Sequence, residues 1–248
     1  MSSKFQLFFF LLPAPSVIPE EKVEVTTEET LSGLCGGKPA DIVFLLDASS
    51  SIWGPNFDKQ LKFVYDVVDK FDVSLQMTHV AAMTFSDKVH KEFGLHSFGD
   101  RLNTLAAIPS MVHLRGGTRT DLAMMEASKM MMGDGRKEVP RLVIVMTDGK
   151  SDKPLDTLEQ AYLLKKAGIT TFAVGIGESV DKEELMGIAS DEKYVFTVDT
   201  FDALVTLQSI LAYEACKVEV IMQADESEMD NNIQPSELIK GKQRIQKL

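Results

Sequence analysis

Asp41-Ile42-Val43-Phe44-Leu45-Leu46-Asp47-Ala48-Ser49-Ser50-Ser51 is the stretch on which the reading of this chain turns. One acid, Asp41, is followed by five apolar side chains in a row, and then the polarity changes abruptly. An apolar run closed sharply by polar residues reads as a strand buried on both faces. Downstream, Phe57, Leu61, Val64, Val67, Val68 and Phe71 recur at helical spacing. Asp47, Ser49 and Ser51 therefore stand on the turn between a buried strand and a helix. In open α/β sheets that is the crevice where ligands bind. One carboxylate and two hydroxyls are hard oxygen donors suited to Mg²⁺ or Mn²⁺ and unsuited to a soft metal. The same residue types are also turn formers and helix N-caps, so the cluster alone leaves both readings open.

Two further stretches bear on the choice. Gly116-Gly117-Thr118-Arg119-Thr120-Asp121 precedes a helical run, Leu122 to Met132. Arg141-Leu142-Val143-Ile144-Val145-Met146-Thr147-Asp148-Gly149 is a second buried strand ending in an acid and a glycine. Taken in order, D-x-S-x-S, G-G-T-x-T and strand-T-D-G resemble the von Willebrand factor type A domain. The likeness continues in Thr171-Phe172-Ala173-Val174-Gly175-Ile176-Gly177 and covers about residues 38 to 215. The resemblance implies a metal-ion-dependent adhesion site with Asp47, Ser49 and Ser51 on a first loop, Thr118 on a second and Asp148 on a third. In that family the serines bind the metal directly, and the threonine and acids bind directly or through water. It also implies Mg²⁺ as the ion, with Mn²⁺ and Ca²⁺ as alternatives, and an acidic side chain of a partner completing the coordination. Gly54, the residues from Arg115 to Arg119 and Lys150 would then border the ligand.

The strands and helices alternate along the chain. That argues an α/β fold, a doubly wound, Rossmann-like and mostly parallel sheet of six strands with helices on both faces. Thr78 to Phe85 is an apolar strand, and Val89 to Phe93 a short alternating one suited to a sheet edge. Asp87-Lys88 makes a hairpin turn between them, which predicts the one antiparallel pair. Phe98 to Ile108 reads as a helix stopped before Pro109, and Thr157 to Ala167 as a helix ended by Gly168. Asp181 to Ala189 reads as a helix with an Asp cap, Tyr194 to Val198 as the last strand and Phe201 to Ala215 as the last helix. The strands Asp41 to Leu46 and Leu142 to Thr147 should be neighbours at the centre, because Asp47 and Asp148 must reach one ion.

With 37 acids against 26 bases the chain carries a net charge of −11 and has no basic patch, which excludes nucleic acid as a partner class. Residues 1–16 read as a short signal peptide, with Lys4 before the apolar run Phe5 to Leu12, which is too short to span a bilayer. Residues 17–37 read as an acidic linker, 38–216 as the domain and 217–248 as a polar tail. The two cysteines, Cys35 and Cys216, bracket the domain. They read as a disulfide clasp, an arrangement common in matrix members of the resembled family, or as two unrelated thiols.

Several residues receive ordinary readings. Met124, Met125, Met130, Met131 and Met132 read as core packing. His79, His90, His96 and His113 lack metal-ligand spacing, and Trp53 reads as a packed rim residue, with a ligand-facing aromatic as the alternative. The functional expectation is a secreted extracellular-matrix or adhesion module that engages a matrix protein such as collagen through an acidic side chain. It is not an enzyme: a phosphoryl-transfer role for Asp47 is disfavoured because a serine, Ser49, stands where a second acid would be needed. A structural, mineral-associated matrix component with incidental metal binding is the alternative.

Overall fold

Strand β1 (Ala40–Asp47) is buried at every position. In the computed structural model, which describes residues 38–220, it lies inside a six-stranded sheet. The other strands are β2 (Thr78–Phe85), β3 (Val89–Phe93), β4 (Arg141–Thr147), β5 (Thr170–Ile176) and β6 (Val195–Val198). The helices are α1 (Gly54–Val68), α2 (Arg101–Ala107), α3 (Thr120–Gly133), α4 (Pro154–Lys166), α5 (Lys182–Ile188) and α6 (Gln208–Cys216). The sheet order is β3-β2-β1-β4-β5-β6, parallel throughout except for the antiparallel β2–β3 pair. The signal-peptide segment, the acidic linker with Cys35 and the tail beyond residue 220 lie outside the described residues.

Side chains alternate along a strand, and β1 uses the alternation to feed two cores. Ile42, Phe44 and Leu46 enter the core shared with α1 and α6. Val43 and Leu45 enter the core shared with α3, α4 and α5. This is why the run has no polar position: each face of β1 is covered by helices. Burying a Leu, Ile or Phe side chain fully contributes roughly 1.5–3 kcal/mol. The chain turns left in the sheet after β1, to β2, and right after β3, to β4. The order reverses between β1 and β4, which opens a crevice at the C-terminal ends of these two strands.

The central pairing of β1 with β4 runs from Asp41 opposite Arg141 to Leu46 opposite Met146, in agreement with the expectation from sequence. The β2–β3 hairpin and the glycine that ends α4 also agree. Gly168 has φ +70°, Gly168 N–H donates to Lys165 O and Ile169 N–H to Leu164 O. These are the paired bonds of a Schellman cap, and the left-handed residue is the one position where glycine costs nothing.

Three expectations are corrected. Helix α2 starts at Arg101, not Phe98, because the Asp100 carboxylate accepts the Asn103 N–H at 2.9 Å and caps it there. It does end before Pro109, at Ala107, and Pro109 follows in a 3₁₀ turn, Ile108–Ser110, early enough in the turn that its missing N–H is not needed. The last helix is two pieces, a 3₁₀ segment Phe201–Thr206 and α6, broken at Leu207. Leu204 and Leu207 are three residues apart, and three-residue turns let both be buried. Trp53 is 69% exposed and Met132 55% exposed, so neither is packed, although Met124, Met130 and Met131 are buried as core.

Candidate metal site

The crevice at the strand ends holds most of the predicted ligand residues. Asp47 ends β1, fully buried, and Gln60 of α1 donates to its carbonyl at 2.9 Å, which ties the helix to the turn. The Asp47 carboxylate accepts the Ser49 N–H at 2.9 Å and the Thr147 hydroxyl at 2.7 Å. Ser49 Oγ lies 2.9 Å from Ser51 Oγ, and Ser51 Oγ donates to Asp148 Oδ1 at 2.8 Å. Polar contacts thus run without a gap from Asp47 through Ser49 and Ser51 to Asp148, across two strand ends. Asp47 and Asp148 come from neighbouring strands, so the pairing of β1 with β4 is what brings them together.

Thr118 stands on a neighbouring loop docked to the first. Ser50 N–H donates to Gly116 O at 2.9 Å, Gly116 N–H to Ser50 Oγ at 2.8 Å, and Arg115 N–H to Ala48 O at 2.7 Å. Thr118 is half-buried, with its N–H donated to Asp152 Oδ2 at 2.8 Å. The structure therefore joins Asp47, Ser49, Ser51 and Asp148 directly and docks the loop that carries Thr118 against theirs.

The electrostatics fit a divalent cation. Burial pushes the Asp47 carboxyl up to about 6, only partly offset by its contacts with Ser49 and Thr147, and the charge of Asp148 adds to the rise. Burial also raises the Asp148 carboxyl, partly offset by the Ser51 hydroxyl. No basic group enters either balance. A buried carboxylate beside a half-buried one, without a cationic partner, is costly, and a bound cation would relieve both at once. The five candidate side chains offer only oxygen, which suits a hard cation. Among the described residues no cluster of three or more His, Cys, Asp and Glu could hold a metal instead.

The basic residues expected to border the ligand are mostly committed elsewhere. Arg119 Nε and one terminal nitrogen donate to the Asp121 carboxylate at 2.8 and 2.6 Å, and Lys150 Nζ donates to Asp181 at 2.6 Å. Arg115 is exposed and is the one non-glycine residue with positive φ, +61°, among the described residues. His113 stacks on Phe57 with ring centroids 4.6 Å apart. Sequence reasoning read Asp87 only as a hairpin residue and gave Ser50 and Asp152 no role, yet all three hold the loops together. Their only signal is position, between or beside ligands on loops whose docking depends on the fold.

Comparison with known proteins follows the geometry. Residues 41–210 match the family model described as von Willebrand factor type A domain. The chain is 31% identical over 199 residues to matrilin-2 of Mus musculus, covering 77% of this chain and 20% of that protein. It is 29% identical over 188 residues to the collagen alpha-1(XXI) chain of Homo sapiens, covering 75% and 19%. Thus it spans about a fifth of the length of these relatives. Among solved structures, proximal thread matrix protein 1 from the mussel byssus, with a zinc-occupied MIDAS motif, superposes with a TM-score of 0.66 at 34% identity. That match covers 72% of this chain and 46% of the other.

Proposed function

This chain belongs to the von Willebrand factor type A domain family, and on that premise we propose that it is a secreted binding module of the extracellular matrix, built as one domain from residue 38 to residue 216. Its site takes a carboxylate of a protein partner, collagen or another matrix protein, at a divalent cation. Asp47, Ser49, Ser51, Thr118 and Asp148 hold that cation, and Mg²⁺ is the ion assigned, with Mn²⁺ and Ca²⁺ as competitors. The observation that carries the reading is the carboxylate pair of buried Asp47 and half-buried Asp148, linked through Ser49 and Ser51 and offset by no basic side chain.

The residues divide the work by charge. The two acids supply the site's negative charge, and the three hydroxyls supply dipoles and no charge. When bound, a divalent ion would supply an open coordination position for an anionic ligand. The turn after β1 and the loop around Thr118 set how a partner approaches. Trp53, exposed at the start of α1, and Arg115 flank that approach. No proton or bond changes hands, so the activity is binding and not catalysis. The extracellular matrix is the compartment of the matrilin, collagen and byssal relatives, and it is the chain's own. Among the described residues no helix is long and apolar enough to cross a membrane.

The test is calorimetric titration of the full chain with Mg²⁺, wild type against Asp47→Ala, followed by capture of partners from a matrix extract with and without EDTA. Mg²⁺ uptake lost in Asp47→Ala, with capture abolished by EDTA, is the expected result. Capture that ignores both EDTA and the substitution leaves a structural matrix component with incidental metal binding.

A further inference from the structure

The segment that carries Thr118 has no regular structure of its own: from Met111 to Arg119 no helix or strand positions it. Five successive backbone amides are nevertheless all given away. Arg115 N–H goes to Ala48 O, Gly116 N–H to Ser50 Oγ, and Arg119 N–H to Ser86 O. The two in the middle go to carboxylates. Gly117 N–H donates to Asp87 Oδ1 at 3.0 Å, and Thr118 N–H to Asp152 Oδ2 at 2.8 Å. Asp152 N–H donates back to Thr118 O at 2.9 Å, so that residue clamps Thr118 from both sides of its peptide. Asp87 comes from the β2–β3 turn and Asp152 from the loop after β4, so one segment is gripped from two different strand ends.

The glycine pair is what admits the two carboxylates. A Cβ on Gly116 would lie 2.4 Å from Asp87 Oδ2. A Cβ on Gly117 would lie 2.4 Å from Asp152 Oδ2 and 2.8 Å from Asp87 Oδ1. Any side chain there would push both acids off the amides they hold. We propose that Asp87 and Asp152 are positioning residues of the metal site, which hold Thr118 in ligating position through the Gly117 and Thr118 amides without binding the ion themselves. This inference rests on the metal reading proposed above. Its physical reason is geometric. Mg²⁺ demands near-octahedral oxygens at about 2.0–2.1 Å, so a ligand on an unsupported loop is lost when the loop drifts by a fraction of that distance. Hydrogen bonds to a charged acceptor are about twice as strong as neutral ones, which suits a loop that has no ladder to belong to.

Substitution separates holding from mere charge. Asparagine keeps the acceptor oxygen and loses the charge, and alanine loses both. Mg²⁺ is titrated calorimetrically into the full chain as wild type, Asp47→Ala, Asp87→Ala, Asp87→Asn, Asp152→Ala and Asp152→Asn. The alanine variants should bind Mg²⁺ about 10- to 100-fold more weakly, the range for partners that orient metal ligands, and the asparagine variants within about threefold of wild type. In the metal-free protein, amide exchange at Gly117 and Thr118 should speed up in the alanine variants and recover in the asparagine ones. Gly117→Ala, which leaves both acids in place but blocks their reach, should weaken Mg²⁺ as the alanine variants do, and it stands in if either of them fails to fold. Wild-type affinity in Asp87→Ala and Asp152→Ala, with binding lost in Asp47→Ala, overturns this proposal alone. Asparagine variants as weak as alanine overturn it too, in favour of a pure charge effect. No Mg²⁺ binding in wild type, or unchanged binding in Asp47→Ala, overturns the metal site and the proposal with it.

Discussion

Asp47 shows how much a single residue can carry. It is fully buried and its carboxyl is raised to about 6 from an ordinary value of 3.8. A carboxyl raised in the folded state contributes stability that is fully present below about pH 3.8 and is lost as pH rises through about 6. Between those limits the metal-free protein loses up to ~3 kcal/mol from this group alone. Two outcomes follow. The melting temperature of the EDTA-treated protein should rise as the pH falls from 7 toward 5, and Mg²⁺ should raise it more at pH 7 than at pH 5. Asp47→Asn should flatten this pH dependence and remove the Mg²⁺ effect. Scanning calorimetry at the two pH values, with and without Mg²⁺, is the check. An Asp47→Asn protein that Mg²⁺ still stabilises would count against the site. Trp53 is the opposite case: with 69% of its surface exposed, Trp53→Ala should change stability by no more than about 0.5 kcal/mol, measured by urea unfolding.

Some of the polar links that join elements of this fold are buried and costly to break. Asp41, at the start of β1, is fully buried and is held by Arg136, whose Nε lies 2.9 Å and a terminal nitrogen 2.7 Å from its Oδ1. The same guanidinium donates to the carbonyls of Ala40 and Met77, so one side chain joins the loop before β4 to β1 and to the approach to β2. Removing one partner of a buried pair leaves an uncompensated charge, and Arg136→Ala should cost about 3–5 kcal/mol in urea unfolding. Phe44, fully buried on β1, should cost a similar ~3–5 kcal/mol when cut to alanine, through lost burial and a cavity. The two costs differ in kind. Asp41→Asn should recover part of the loss in the Arg136→Ala background and none in Phe44→Ala.

At the scale of the domain, the sheet carries its candidate metal site where its strand order reverses. Cys216 closes α6 and packs, half-buried, against the core, whereas Cys35 lies outside the described residues. A Cys35–Cys216 clasp is proposed here on the family likeness. It would close a loop spanning almost the whole domain and stabilise it by roughly 4–5 kcal/mol on the chain-entropy model. It would also hold α6 against displacement relative to β1. Alkylation of the native protein should find no reactive thiol, and reduction should lower its melting temperature. Two alkylatable thiols in that protein would remove the clasp.

The fold was legible because β1 and β4 each carry five apolar residues in a row, Ile42 to Leu46 and Leu142 to Met146, as a strand covered on both faces does. The helix positions were legible from periodicity. Asp47, Ser49, Ser51, Thr118 and Asp148 were readable as candidates because three motifs in order resemble those of the family, even though each alone is an ordinary turn residue. What the sequence could not hold is anything that depends on which loops meet. Asp87 and Asp152 are far from Gly117 in the chain, and Arg136 is far from Asp41. Their contacts exist only because β2, β1 and β4 lie side by side. Trp53 is exposed and the last helix is broken at Leu207 for a related reason, since burial there follows from how segments pack and local propensity does not encode it. A strand's own residues state that it must be covered, but only the assembled sheet decides which distant polar groups are brought within hydrogen-bonding reach.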